Sequence, residues 1–157
     1  MNKTSIIKRK KIIRYVLISV FIIVAAVALY IYKEYNRQHK DTASLKPDYS
    51  LQAVSLIKEF EADEKGSNKK FRDKVVRVEG IVKEVIKDDK GYYTLALGDT
   101  VSMSSVRCSI DSVHSHDAAT VTKGSTIAVK GICSGFNSDE LLGSDAILIR
   151  SVVDHKK

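Results

Sequence analysis

Two cysteines, two neighbouring histidines and a tyrosine set among lysines are the residues of this 157-residue chain whose types and spacing could do chemistry. Cys108 and Cys133 fall in segments that alternate apolar and polar residues, on the faces assigned to the interior. Joined, they would close a loop of about 25 residues, worth roughly 3 to 4 kcal/mol in the chain-entropy picture of cross-linking. Left apart, they would pack as small apolar side chains. The disulfide is the expectation, and two buried thiols are the alternative. His114-Ser115-His116-Asp117 offers two imidazoles and a carboxylate. Nothing at metal-ligand spacing supplies the remaining donors, so a polar surface loop and no metal are expected.

Tyr92 stands beside a hairpin that carries Lys83, Lys87 and Lys90, and Arg107 falls on the strand that follows. An exposed aromatic ring beside cations can stack a base and neutralise a phosphate, and the same face can serve a protein or a glycan. Tyr92, Lys90 and Arg107 are therefore the candidate ligand-binding residues. No catalytic residue and no cofactor are expected. The chain has neither a Gly-x-Ser-x-Gly elbow nor a Gly-x-x-x-x-Gly-Lys-Ser phosphate loop, and of its paired acids Asp88-Asp89 fall in a turn and Asp139-Glu140 in a loop.

The elements that would position these residues begin with helices. Ser50 is placed as an N-cap, and Leu51, Val54, Ile57 and Phe60 recur at three-residue steps with Leu56 in support. A second helix is expected over Asp63 to Phe71, weakened by Gly66. From Lys74 the period becomes two: Val76, Val78, Gly80 and Val82 share one phase and Val85 the other, as in a strand bulged beside a glycine. The Lys87-Asp88-Asp89-Lys90-Gly91 turn leads to alternating Tyr93, Leu95 and Leu97. Further strands are expected at Val106 to Ile110, Thr126 to Cys133 with a bend at Gly131, and Ala146 to Val153. Three strands in a meander, an insertion, and two more strands is the order of a five-stranded Greek-key barrel of the OB-fold type. An open five-stranded sheet covered by the helices is the alternative. In the barrel, Cys108 and Cys133 fall on strands that are not neighbours, so a bridge would have to cross the interior or an end.

A membrane address precedes this domain. Tyr15 to Tyr32 runs without a charge, and Lys3, Lys8, Arg9, Lys10, Lys11 and Arg14 precede it with no acid among them. With Ile12 and Ile13 the run is long enough to span a bilayer once, and the positive-inside tendency keeps the amino-terminal tail in the cytoplasm. The expected organisation is a cytoplasmic tail at 1–11, a transmembrane anchor at 12–32, a linker at 33–48 and a helix-capped barrel at 49–157, outside the cytoplasmic membrane. Ala26-Val27-Ala28 fits a signal-peptidase site, but the apolar run continues to Tyr32 and an uncleaved anchor is preferred. No cysteine precedes Cys108, so there is no amino-terminal lipid attachment site of the lipoprotein kind.

The anchor also explains the charge. The chain holds 26 Lys and Arg against 19 Asp and Glu; six basic residues precede Lys33, leaving 20 against 19, a balance of +1. The basic excess is therefore a topology signal, and a nucleic-acid footprint would need it clustered on the folded domain.

Lys74-Val-Val-Arg-Val-Glu-Gly-Ile-Val-Lys-Glu-Val, Tyr93-Thr-Leu-Ala-Leu-Gly-Asp, Val106-Arg-Cys and Val129-Lys-Gly-Ile-Cys-Ser-Gly-Phe136 together resemble the tRNA_anti-like family of bacterial OB-fold proteins. The resemblance covers residues 49 to 153 and implies a fold, with little chemistry. The functional expectation is an anchored binding or scaffold module for a protein or envelope component, and nucleic-acid binding is the alternative.

Overall fold

The computed structural model describes residues 17–32, 41–139 and 143–155. It divides into two units, Met1–His39 and Lys40–Lys157. In the first, residues 17–32 form helix α1, whose apolar side chains are exposed all round, with Phe21 at 75% and Ile22 at 60%. Among the described residues no helix is long and apolar enough to cross a membrane. The expected anchor began at Ile12, and its first five residues, 12–16, lie outside the described ones.

The second unit contains β1 (Tyr49–Gln52), α2 (Ala53–Ala62), α3 (Glu64–Phe71), β2 (Val75–Lys87), β3 (Tyr93–Gly98), β4 (Ser105–Ile110), α4 (Ser115–Ala119), β5 (Thr126–Asn137) and β6 (Asp145–Val153). The sheet order is β1-β2-β3-β4-β6-β5, and a further β2–β5 pairing closes the last five into a barrel. β4 and β6 run parallel, and the other barrel pairs are antiparallel. This is the OB-fold order, and the β2–β5 pairing excludes the open sheet.

Alternation fills the barrel. Val76, Val78 and Val82 of β2, Leu95 and Leu97 of β3, Val106 and Cys108 of β4, Val129 and Cys133 of β5, and Leu148 of β6 are all fully buried. β2 can serve both halves of the barrel because its register slips between Val82 and Glu84, so the bulge falls after Gly80 rather than beside it. Gly80 serves helix packing instead. A Cβ there would lie 2.9 Å from the Ala53 Cβ, so glycine lets the start of α2 touch the strand. Gly131 marks the expected bend, since the β5–β6 register slips between Lys130 and Ile132.

The helices differ from the expected ones in one respect. Ser50 is not an N-cap: it lies in β1, which pairs parallel with β2, and α2 starts at Ala53 after Gln52. The three-residue spacing from Leu51 mixed a strand residue with a helix, and the buried stripe is Ala53, Leu56, Ile57 and Phe60. In α3 the Asp63 side chain accepts from Gly66 N at 3.0 Å, and a Cβ on Gly66 would collide with that carboxylate. Gly66 thus makes room for the cap. Phe60 stacks on Phe136 at 5.0 Å and Phe71 meets Tyr49 edge-on at 5.0 Å, closing one end of the barrel. Buried Ala118 of α4 belongs to the same core.

Part of the expected linker is folded. Lys130, only 8% exposed on β5, donates from Nζ to the carbonyls of Ala43 and Leu45 at 2.8 and 2.9 Å. Asp48 bonds Val75 through its backbone and its carboxylate. Residues 41–48 are therefore a strap on the barrel, and their lack of apolar periodicity concealed it because backbone carbonyls make the contact.

Candidate functional site

The thiols come together around a third residue. Cys108 pairs in register with Leu148 from β4, and Cys133 pairs with the same Leu148 from β5. Two strand spacings separate them, about 9 to 10 Å between Cα atoms, beyond the reach of a disulfide. Both cysteines are free and buried, which corrects the expected bridge. Burial pushes both thiols above the ordinary cysteine range.

The expected ligand-binding residues are only partly brought together. Lys90 and Tyr92 share the tight β2–β3 hairpin, where the Asp88 carboxylate accepts from both their backbone amides at 2.9 and 2.8 Å. Tyr92 is 51% exposed and Lys90 is exposed. Arg107 lies opposite Ala96, four residues beyond Tyr92 along the ladder and so roughly 14 Å away. Its Nε donates to Asp145 Oδ2 at 2.5 Å, while Asp145 Oδ1 accepts from Ser105 Oγ at 2.5 Å. Arg107 secures the β4–β6 pairing, and the hairpin stands apart from it.

Other cations are similarly committed. Lys83 donates to the Ser102 and Ser104 carbonyls at 2.6 and 2.8 Å, and burial lowers its pKa. The hairpin itself balances Lys83, Lys87 and Lys90 against Glu84, Asp88 and Asp89. His114 does not gather with His116 around a metal: its Nε2 donates to Asp41 Oδ1 and Oδ2 at 2.9 and 3.0 Å, fastening the strap. Among the described residues no group of three or more His, Cys, Asp or Glu could hold a metal ion.

A groove of about 500 Å³ opens along the outside of β2 and β5, beside the 120–126 loop and the end of β6. Arg77 forms part of it, with Nε donating to Asp154 Oδ2 at 2.6 Å and Nη1 reaching Glu79 Oε2 at 3.4 Å. The Asp154 bond raises the Arg77 pKa further, so the guanidinium is charged throughout. Val121, Ile127 and Val153 contribute apolar lining. Sequence reading missed this site because Arg77 and Asp154 are far apart in the chain and meet only when β5 closes onto β2. The one local signal was Arg77 in the outward phase of a strand whose inward phase is valine.

The fold has solved counterparts. A lipoprotein of Klebsiella pneumoniae, described as a candidate nucleic acid-binding protein, superposes with a TM-score of 0.53 at 16% identity, covering 76% of this chain and 100% of its own. The asparaginyl-tRNA synthetase of Pyrococcus horikoshii matches with a TM-score of 0.36 at 19% identity, covering 54% of this chain and 20% of the synthetase. The Klebsiella likeness concerns the fold alone. No curated protein matches the sequence. The profile of the tRNA_anti-like family matches residues 2–147, nearly the whole chain, and with the closed OB barrel this places the chain in the tRNA_anti-like family.

Proposed function

We propose that the chain is a membrane-anchored, exported binding module that recognises a protein or another envelope component and carries out no catalysis. The observation that carries this reading is the fate of its cations. Lys83, Arg107, Arg77 and Lys130 each bind a carbonyl or carboxylate of their own domain. A phosphate-binding track needs such groups free to release counterions from a nucleic acid. What the hairpin presents instead is an exposed tyrosine in a charge-balanced setting, a composition suited to a protein surface.

The anchor rests on α1 and the residues before it. A helix apolar on every side suits lipid, and its extension back to Ile12 would bring it to about 31 Å at 1.5 Å per residue. Six basic residues before the run hold the amino terminus in the cytoplasm and direct the barrel across the membrane. The description of the Klebsiella protein favours nucleic-acid binding as the second reading. Salt separates the two: phosphate contacts make affinity fall steeply with ionic strength, whereas a protein interface of this composition changes little. Crosslinking with mass spectrometry on the full-length chain in cells tests the proposal, with reproducible crosslinks to one envelope protein expected and recovery of nucleic acid alone refuting it.

A further inference from the structure

We propose that the Arg77 groove binds an aliphatic ammonium group, the chemistry of a lysine side chain on a partner or of a free polyamine; this rests on the reading of the domain as a binding module. Charge decides the sign of the ligand. Glu79 and Asp154 carry two negative charges and Arg77 one positive, so these three side chains sum to −1. An anion drawn to Arg77 would meet two carboxylates already seated on it, whereas a cation meets a surplus acceptor.

Geometry supplies the acceptors. Arg77 engages Asp154 through Oδ2 and Glu79 through Oε2. The other oxygens, Asp154 Oδ1 and Glu79 Oε1, make no hydrogen bond among the described residues. An ammonium carries three donors and no acceptor, which suits two carboxylate oxygens. Val121, Ile127 and Val153 offer an apolar lining to the methylene stem, so stem and head are both accommodated. The groove volume, about 500 Å³, lies within the range of small-ligand sites and is ample for one such chain.

The test uses the full-length chain in detergent micelles with labelled Ile and Val methyls, titrated with three probes. These are an uncharged-ended Ala-Lys-Ala peptide, the same peptide with norleucine for lysine, and cadaverine. Shifts confined to Val121, Ile127 and Val153 are expected with the lysine peptide, and the norleucine peptide should bind about tenfold more weakly, the loss of one charge-assisted contact. Glu79→Gln should also weaken lysine-peptide binding severalfold while leaving the spectrum folded, because its contact to Arg77 is long and its side chain is 37% exposed. Cadaverine binding as tightly as the peptide would identify a free polyamine as the source, and peptide binding alone would identify a protein segment. Equal affinity for the norleucine peptide, an unchanged Glu79→Gln affinity, or shifts elsewhere on the barrel would overturn the assignment. Failure here with cellular crosslinks intact would remove the groove and spare the binding-module reading; groove binding without a cellular partner would do the reverse.

Discussion

Cys108 and Cys133 stand on opposite sides of Leu148, each its partner in the sheet, one from β4 and the other from β5. The three side chains form one fully buried row across the barrel. A thiol buried in this way has neither the thiolate character nor the access that oxidation needs, even where disulfides otherwise persist. Alkylation under native conditions should therefore leave both cysteines unmodified, and denaturation without reductant should release two reactive thiols per chain. Leu148→Ala should cost about 2 to 5 kcal/mol in chemical denaturation and open both cysteines to reagent, since it empties the space between them.

The β5 bend depends on a close approach. A Cβ on Gly131 would collide with Ser151 Oγ and lie 3.0 Å from Leu148 Cβ. Gly131→Ala should destabilise the domain by about 1 to 3 kcal/mol, measured by urea unfolding. Ser151 Oγ is buried without a hydrogen-bond partner among the described residues, so Ser151→Ala should be neutral or stabilising in the same assay.

Lys130 holds the strap through two carbonyls. Lys130→Met keeps the stem and removes the donors, so hydrogen exchange at residues 41–45 should quicken and stability should fall by about 1 to 3 kcal/mol. Unchanged exchange there would mean that the strap is held by other contacts.

Acid should loosen the same strap. The Asp41 pKa is lowered first by the Ala43 amide and then by His114. A carboxylate with a depressed folded pKa contributes stability that is present above its unfolded value, about 3.9, and is lost as pH falls through the folded one. Exchange at residues 41–45 should thus be insensitive to this group near neutrality and rise below about pH 4, and Asp41→Asn should abolish that rise.

Much of the barrel was legible because its strands carry valine and leucine on alternate positions, and because Gly91 and Gly124 sit where turns need positive φ. Tyr92 and Lys90 were legible for the same reason: a local turn places them. Arg107 was assigned correctly to a strand but not to Asp145, which belongs to β6 and becomes its neighbour only through the parallel β4–β6 pairing. The strap, the Arg77 groove and the placement of the cysteines around Leu148 likewise depend on contacts between distant segments, which carry no periodicity.

Tyr92 offers the most direct test of the binding-module proposal. Tyr92→Ala should leave stability within about 0.5 kcal/mol, as expected of a half-exposed side chain away from the core. The decisive measurement is photocrosslinking in intact cells from a photoreactive residue placed at position 92 of the full-length chain, with products identified by mass spectrometry. One reproducible envelope protein crosslinked from this position is the predicted result; products consisting only of nucleic acid or cytoplasmic nucleic-acid-binding proteins would contradict it.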